Sequence, residues 1–513
     1  MSDSMQTDRG VRAGPGWLPE PLFHEPFWLT VLTLLVVLLG LMFIRFTLLA
    51  GVDHDEVEHA HVAYRILSGE LPYRDFYQNH WPAYWLVVTQ FVQSFPFSVQ
   101  AILASRAVSL LALTGCCLLG LRLLQQVPGG CTRLTVLVYT AAVIVLAPVF
   151  EFYVARPDPL MALFATAGLC LVPARGAVRS SQALGLGILF GLAISVSSKV
   201  LPMTLVVPLL VTFQAVNARS LRPLLALAAY AAGVVLAILP TALWLYQHEL
   251  YTAFYFDVIA LNLAVHKPWY RSFELLKIAL FIPSLLGVFA WLWTKWGPSA
   301  RTENGLLVVI LSLFCGLLLA FIIRHAGLYN MQVLIIPIAV GFASLAAYLS
   351  IHAGDLGKRV LIIATLLGYP VSSTAIQVAL FKSNMEMAQS EVQEIMDLAR
   401  PGDRSCIGFA PTHPVFCNSV SQISITWDLW FAQNITEPRQ RKRFQRIWHE
   451  AVERTLSIQP DIIVRRTSID IWEQAVANGL IRQSDLDALD ALKHAYEVKM
   501  IGKQEIWVKR SNP

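Results

Sequence analysis

Long apolar runs alternate with short polar connectors over most of the chain. Runs able to cross a bilayer fall at 27–50, 101–121, 134–150, 160–174, 182–198, 200–216, 224–246, 275–294, 305–323, 331–350 and 360–381. An apolar helix needs ~20 residues to span the hydrocarbon, so the shorter runs must borrow flanking residues. Segment 82–97 is also apolar, but it is short and broken by Pro96. It reads as a juxtamembrane or half-inserted helix. The first run is too long for a cleaved signal sequence and reads as a signal anchor.

The basic residues between runs set the topology. Arg122 with Arg133, Arg175 with Arg179, Arg219 with Arg222, Lys295 with Arg301, and Lys358 with Arg359 mark five connectors separated by pairs of runs. Cytoplasmic loops carry such excesses of Lys and Arg. The expectation is a cytoplasmic segment 1–26, an all-α polytopic membrane domain over 27–381 with about 11 spans, and an outer first loop at 51–81. An odd number of crossings puts 382–513 outside as well.

The tail changes character. Charges become dense from Lys382, and no spanning run remains. SCIGFAP (405–411) and PDIIVRR (460–466) read as short strands, and 497–510 as a hairpin turning at Gly502. Segments 386–400 and 439–457 read as amphipathic helices. The pattern predicts a small soluble α/β domain.

Composition agrees with a chain whose main solvent is lipid: 56% hydrophobic and 14% charged residues, where soluble proteins carry about a quarter charged. The formal net charge of +5 fits basic loops on one membrane face. No basic stripe with interleaved aromatics exists, which argues against nucleic acid. Of the seven cysteines, Cys406 and Cys417 lie in the tail and can pair if it faces an oxidising compartment; unpaired thiols fit equally well.

Most of the chemistry gathers in one outer loop, GVDHDEVEHAHVAYRILSGELPYRDFYQNHWPAYW (51–85). Acids, histidines and arginines interleave there with aromatics of the kind that settle at a membrane interface. Asp55-Glu56 opens an amphipathic helix that ends at Gly69, and His59 shares a face with Asp55. A carboxylate at a helix start stays ionised, as a general base requires. A purely solvated loop is the bland alternative, and it leaves this density of groups unexplained. Asp53-x-Asp55 is a short acidic pattern that leaves room for a divalent metal, as does the His/carboxylate mix.

A second outer segment, 151–162, carries Arg156 and Asp158. The remaining outer cations are Lys199, His266, Lys267, Arg271, Arg324 and His325. Singly each fits an interfacial anchor. Together they suit recognition of a phosphate.

With these motifs in view, the chain resembles the GT-C superfamily of polyprenyl-phosphate-sugar-dependent glycosyltransferases. The likeness is to bacterial members similar to protein O-mannosyltransferases and the lipid A aminoarabinose transferase. It rests on Asp55-Glu56, on Gly69-Glu70-Leu71-Pro72-Tyr73-Arg74-Asp75-Phe76, on His80-Trp81-Pro82-Ala83-Tyr84, on Arg156-Pro157-Asp158, and on Arg324-His325 with Tyr329 and Pro337, over roughly 27–350. Trp81 departs from the pattern, standing where relatives carry Pro or Lys.

The resemblance implies a hexosyl- or pentosyl-transferase with Asp55 as catalytic base, aided by Glu56 and Asp158. It implies substrate contacts from Arg65, Tyr73, Arg74, His80, Tyr84, Arg156, Lys199, Lys267, Arg271, Arg324 and His325. It further implies a polyprenyl-phosphate-linked sugar as donor, a glycan, lipid or protein acceptor, and a bacterial inner membrane with the site and tail periplasmic. The competing class is a polytopic transporter or lipid-carrier flippase. Transporters concentrate ionisable residues at mid-membrane, whereas here the runs are nearly free of them, Arg45 and Arg106 being the main exceptions.

Overall fold

The computed structural model of the chain describes residues 26–76, 78–127, 132–219, 223, 225–260, 273–295, 304–322, 328–352, 387–399, 405–409, 418–419, 438–466, 470–502 and 504–510. Each apolar run through 331–350 falls on a helix. These are α1 (Pro26–Leu49), α4 (Gln100–Leu124), α5 (Arg133–Val149), α6 (Pro157–Cys170), α7 (Ser180–Val196), α8 (Val206–Ala218), α9 (Leu225–Gln247), and then Phe273–Lys295, Asn304–Ile322 and Ile335–His352. The run at 360–381 and the N-terminal segment 1–25 lie outside the described residues.

Four described helical stretches are both long and apolar enough to cross a membrane: Gln100–Leu124, Ser198–Asn217, Leu225–Gln247 and Asn330–Leu349. Arg133–Val149, Ser180–Val196 and Asn304–Leu319 are apolar but shorter. A membrane-embedded helical domain therefore stands, while a total of eleven crossings goes beyond the described helices. α6 is one helix that falls short of a full crossing. It has 14 residues, which rise about 21 Å against a hydrocarbon core of about 30 Å.

Two further helices come from the first outer loop. α2 (His54–Leu67) carries the acidic cluster, and α3 (Ala83–Ser94) covers the half-inserted segment. α3 has 12 residues, too few to cross. It buries Tyr84, Trp85, Val88, Thr89 and Val92 and packs against α2 and α4.

Among the described helices, α7 and α9 pack together closely. Gly187 of α7 faces Gly233 of α9, and Gly191, four residues on, faces Val234 and Ala237. A Cβ added at Gly187 would run into the Tyr230 carbonyl, and one at Gly233 into that of Leu184. Between lipid-embedded helices such small-residue contacts replace the missing hydrophobic drive with backbone-to-backbone packing.

The helix ends sort into two sets. At one end, Gln126 Nε2 donates to Val172 O at 3.0 Å, Asn304 Nδ2 to Pro173 O at 2.8 Å, and Gln214 Nε2 to Gly176 O at 3.1 Å. These ties gather the connectors that carry Arg122, Arg175 and Arg219. At the other end lie α2, the 151–158 segment and the residues around Lys199.

The C-terminal part joins that second end. Val52 and Met387 form an antiparallel bridge, N–H to O at 2.7 and 3.0 Å. On helix Gln389–Ala399, Gln389 Nε2 donates to Leu48 O at 2.8 Å, and Gln393 accepts from Val99 N at 3.0 Å. A mixed sheet follows, in the order β2-β1-β3-β5-β4, with β1 (Ser405–Phe409), β2 (Asn418–Ser419), β3 (Ile462–Arg466), β4 (Tyr496–Ile501) and β5 (Gln504–Lys509). β1 runs parallel to β2 and β3, and β5 antiparallel to β3 and β4. Helix Pro438–Ile458 lies between β1 and β3 in the chain, as a parallel crossover requires. Gly502 turns the hairpin at φ +56°. Cys406 is disulfide-bonded; Cys417 lies outside the described residues.

Candidate functional site

The site is built outward from the first turn of α2. Asp53 is its N-cap: the carboxylate accepts from Asp55 N at 2.9 Å, and Glu56 Oε2 accepts from Asp53 N at 2.9 Å. This reciprocal capping box fixes the helix start and aims Asp55.

Glu56 does more than cap. Its side chain is 0% exposed, and Arg106 of α4 pairs with it through Nε at 2.7 Å and Nη2 at 2.6 Å. Ala155 N adds a bond at 2.8 Å. Arg106 Nη1 also donates to the carbonyls of Thr47 and Ala50 at the end of α1. A buried carboxylate persists only with such complete partnering. Glu56 thus ties together α1, α2, α4 and the 151–156 turn.

That turn delivers Arg156, the N-cap of α6. Its guanidinium reaches Asp53 Oδ1 at 2.8 Å, Asp55 Oδ2 at 2.8 Å and Glu151 Oε2 at 2.7 Å. Nε lies close enough to Asp55 for charge pairing, though off line for a hydrogen bond. Pro157 begins α6, and Asp158 occupies its first turn, where the helix dipole favours an anion. Lys199, in the 3-10 segment Ser198–Leu205, chelates Asp158 at 2.9 and 3.0 Å.

Histidines and aromatics form the wall. The His59 ring lies 4.9 Å from His80 and 5.1 Å, edge-on, from Tyr84. Trp85 Nε1 donates to His59 Nδ1 at 3.2 Å. Burial, then nearby His80, holds His59 well below the ordinary histidine range. Burial and Lys199 push His80 down to about 4. Both rings are therefore neutral at neutral pH. Burial raises Glu151, against the pull of Arg156.

Tyr73 supports this wall from behind, donating to the His80 carbonyl at 2.6 Å with its ring 5.3 Å from Phe254. The turn that carries it begins at Gly69, φ +89°, where α2 stops, and Tyr73 itself is left-handed at φ +69°. Arg65, in the last turn of α2, and Arg74, in the turn itself, brace it. Arg65 pairs with Glu70 and stacks 4.2 Å from the centre of the Phe76 ring; Arg74 pairs with Asp75 at 2.9 Å. Arg65 lies three turns along α2 from Asp55, about 15 Å along the axis.

Of the residues singled out in the sequence, the fold brings together Asp55, Glu56, Asp158, Arg156, Lys199, His80 and Tyr84. Tyr73 stands one layer back, and Arg65 and Arg74 hold the adjoining turn. Lys267, Arg271, Arg324 and His325 lie outside the described residues. The Asp53-x-Asp55 pattern does not fit a metal here, because the Arg156 guanidinium already bridges both carboxylates. Among the described residues no group of three or more His, Cys, Asp and Glu side chains converges as a metal site.

Four members lie outside the site residues expected from the sequence. Arg106 carried a signal, a charge inside an apolar helix. His59 carried its helical spacing from Asp55. Glu151 and Asp257 carried none. Asp257 sits in the π-helical turn Tyr255–Ala260 and accepts from the backbone of Gln78; burial pushes it up to about 7, with Arg443 of helix Pro438–Ile458 opposing. Arg443 also stacks 3.6 Å over Phe256. The C-terminal part thereby touches the back of the aromatic wall.

With this geometry in place, comparison with solved structures is informative. ArnT from Cupriavidus metallidurans bound to undecaprenyl phosphate superposes with a TM-score of 0.59 at 13% identity, over 94% of this chain and 98% of that one. The chain has the fold of ArnT. Its apo form gives 0.54 at 14% identity, over 93% and 98%. AglB, an oligosaccharyltransferase from Archaeoglobus fulgidus in complex with an inhibitory peptide and a dolichol-phosphate, gives 0.50 at 9% identity, over 94% of this chain and 74% of that one. The GT-C resemblance of the motifs is thus matched by a likeness of fold along nearly the whole chain. No family model and no curated protein matches the chain.

Proposed function

We propose that this protein is a membrane glycosyltransferase that moves a sugar from a polyprenyl-phosphate carrier to an acceptor, with Asp55 as the base. One observation carries the reading: Asp55 is held by Arg156 beside the Asp158–Lys199 pair, against a wall of neutral histidines. An ArnT-like fold supports it, since that protein was captured with undecaprenyl phosphate.

In this mechanism Asp55 takes the proton of an acceptor hydroxyl. The oxygen attacks the anomeric carbon of the carrier-linked sugar, and the bond from that carbon to the phosphate oxygen breaks. Lys199 and Arg156 offset the charge that grows on the departing phosphate. Glu56 is a positioning residue, since its oxygens are committed to Arg106, Ala155 and Asp53. Asp158 orients Lys199. Tyr84 and His80 border the sugar, Tyr73 steadies them, and Arg65 and Arg74 act only through the turn they brace. Lys267, Arg271, Arg324 and His325 supply further phosphate contacts. The site and soluble domain face the periplasm of a bacterial inner membrane, and the sugar is a hexose or pentose.

Asp55→Asn protein in proteoliposomes with a lipid-linked sugar tests this. Transfer should fall about a hundredfold or more, while undecaprenyl phosphate still binds. Undiminished transfer sinks the assignment of the base.

A further inference from the structure

His59 takes no part in the ion pairs around Asp55, yet its environment defines it closely. Indole N–H is a donor only. Because Trp85 Nε1 points at His59 Nδ1 from 3.2 Å, Nδ1 must present its lone pair. The proton of the neutral ring therefore sits on Nε2. His59 is 2% exposed, and its Nε2 has no hydrogen-bond partner among the described residues. The Tyr84 hydroxyl, on the ring packed edge-on against His59, is likewise buried and without a hydrogen-bond partner among the described residues.

Two buried polar groups left unmatched on adjoining rings are costly in a folded protein. Elsewhere in the cluster the ion pairs are formed: Arg156 with Asp53, Asp55 and Glu151, Lys199 with Asp158, Arg106 with Glu56. Among the groups without a hydrogen-bond partner are a fixed N–H on His59 and the Tyr84 hydroxyl, next to the base.

We propose that His59, with its tautomer locked by Trp85, donates its Nε2–H to an oxygen of the lipid-linked sugar, and that Tyr84 binds the same oxygen-bearing group. This deepens the glycosyl-transfer reading and rests on it. The oxygen belongs to the carrier phosphate or to a sugar hydroxyl. Either supplies a lone pair; an ammonium does not. The pair therefore selects a donor with an oxygen at this position and rejects one with a protonated amine there, because a site built around a hydrogen bond discriminates strongly against a ligand that cannot make it. His59 makes the contact and Trp85 is its positioning residue.

The test uses the full chain in lipid nanodiscs and two probes, undecaprenyl phosphate alone and undecaprenyl phosphate bearing a neutral hexose. Gln carries an amide nitrogen where His has Nε2, whereas Asn carries one where His has Nδ1. His59→Gln should bind within about threefold of wild type, and His59→Asn about tenfold or more weaker, a loss of ~1.4 kcal/mol, with equal thermal unfolding of the two variants. Trp85→Phe should weaken binding in the wild-type background and leave the His59→Gln protein unchanged. A loss on both probes assigns the phosphate oxygen; a loss on the hexose-bearing probe alone assigns the sugar. Equal binding by His59→Gln, His59→Asn and wild type overturns the proposal, as does a wild-type protein that binds neither probe. If wild type binds but transfers no sugar, the glycosyl-transfer reading fails while the role of His59 in binding is still decided.

Discussion

Asp158 and Lys199 lie 41 residues apart in sequence, yet the Lys199 ammonium contacts both oxygens of the Asp158 carboxylate, at 2.9 and 3.0 Å. The pair joins the start of α6 to the segment after α7. Asp158 is 1% exposed and Lys199 20%, so removal of the lysine strands a buried charge.

Lys199→Met should therefore lower stability by roughly 3 kcal/mol. The double variant Asp158→Asn, Lys199→Met should regain much of that loss without regaining sugar transfer. Denaturation in detergent and transfer in proteoliposomes, measured on the same four proteins, complete the cycle. Additive losses, with the double variant losing as much as the two single variants together, would show that the pair is not coupled.

Asp257 gives a pH prediction. Its folded value, about 7, lies above the ordinary 3.8 because burial disfavours the ionised form. A group raised in this way binds its proton more tightly when folded. Its favourable contribution is full below about pH 4 and fades as pH rises through about 7. Wild type should thus lose roughly 1–3 kcal/mol relative to Asp257→Asn between pH 5 and pH 8. Melting curves of both proteins across that window check it; parallel curves would count against the burial of this carboxyl.

Gly187→Val tests the contact between α7 and α9. Its side chain would collide with the Tyr230 carbonyl, and the backbones would have to separate. A loss of at least about 2 kcal/mol is expected, read as a lowered melting temperature. Gly40 has open space around it, so Gly40→Ala serves as the neutral control.

Much of this was legible in the sequence because it is written locally. Apolar runs become helices when lipid leaves the backbone no other partner. The tail helices Gln389–Ala399 and Pro438–Ile458 and the Gly502 hairpin follow from residues within a few positions of one another. The meeting of Asp55 with Arg156 and Asp158 was suggested by loop parity and motif order. What stayed hidden depends on distance along the chain. Nothing near Glu56 announces that Arg106, 50 residues on, will satisfy it. Arg65 and Arg74 have the same composition signal as Arg156, but their own turn supplies acceptors within a few residues. The tautomer of His59 depends on an indole 26 residues away.

The bridge between Val52 and Met387 ends one residue before the N-cap Asp53. The C-terminal part is therefore moored to the root of the helix that bears Asp55. Chimaeras that exchange the tail for that of another protein must rebuild this two-residue seam, or the transplanted half will fold beside an ill-aimed carboxylate. For the same reason, the two halves of the chain are expected to be inherited together.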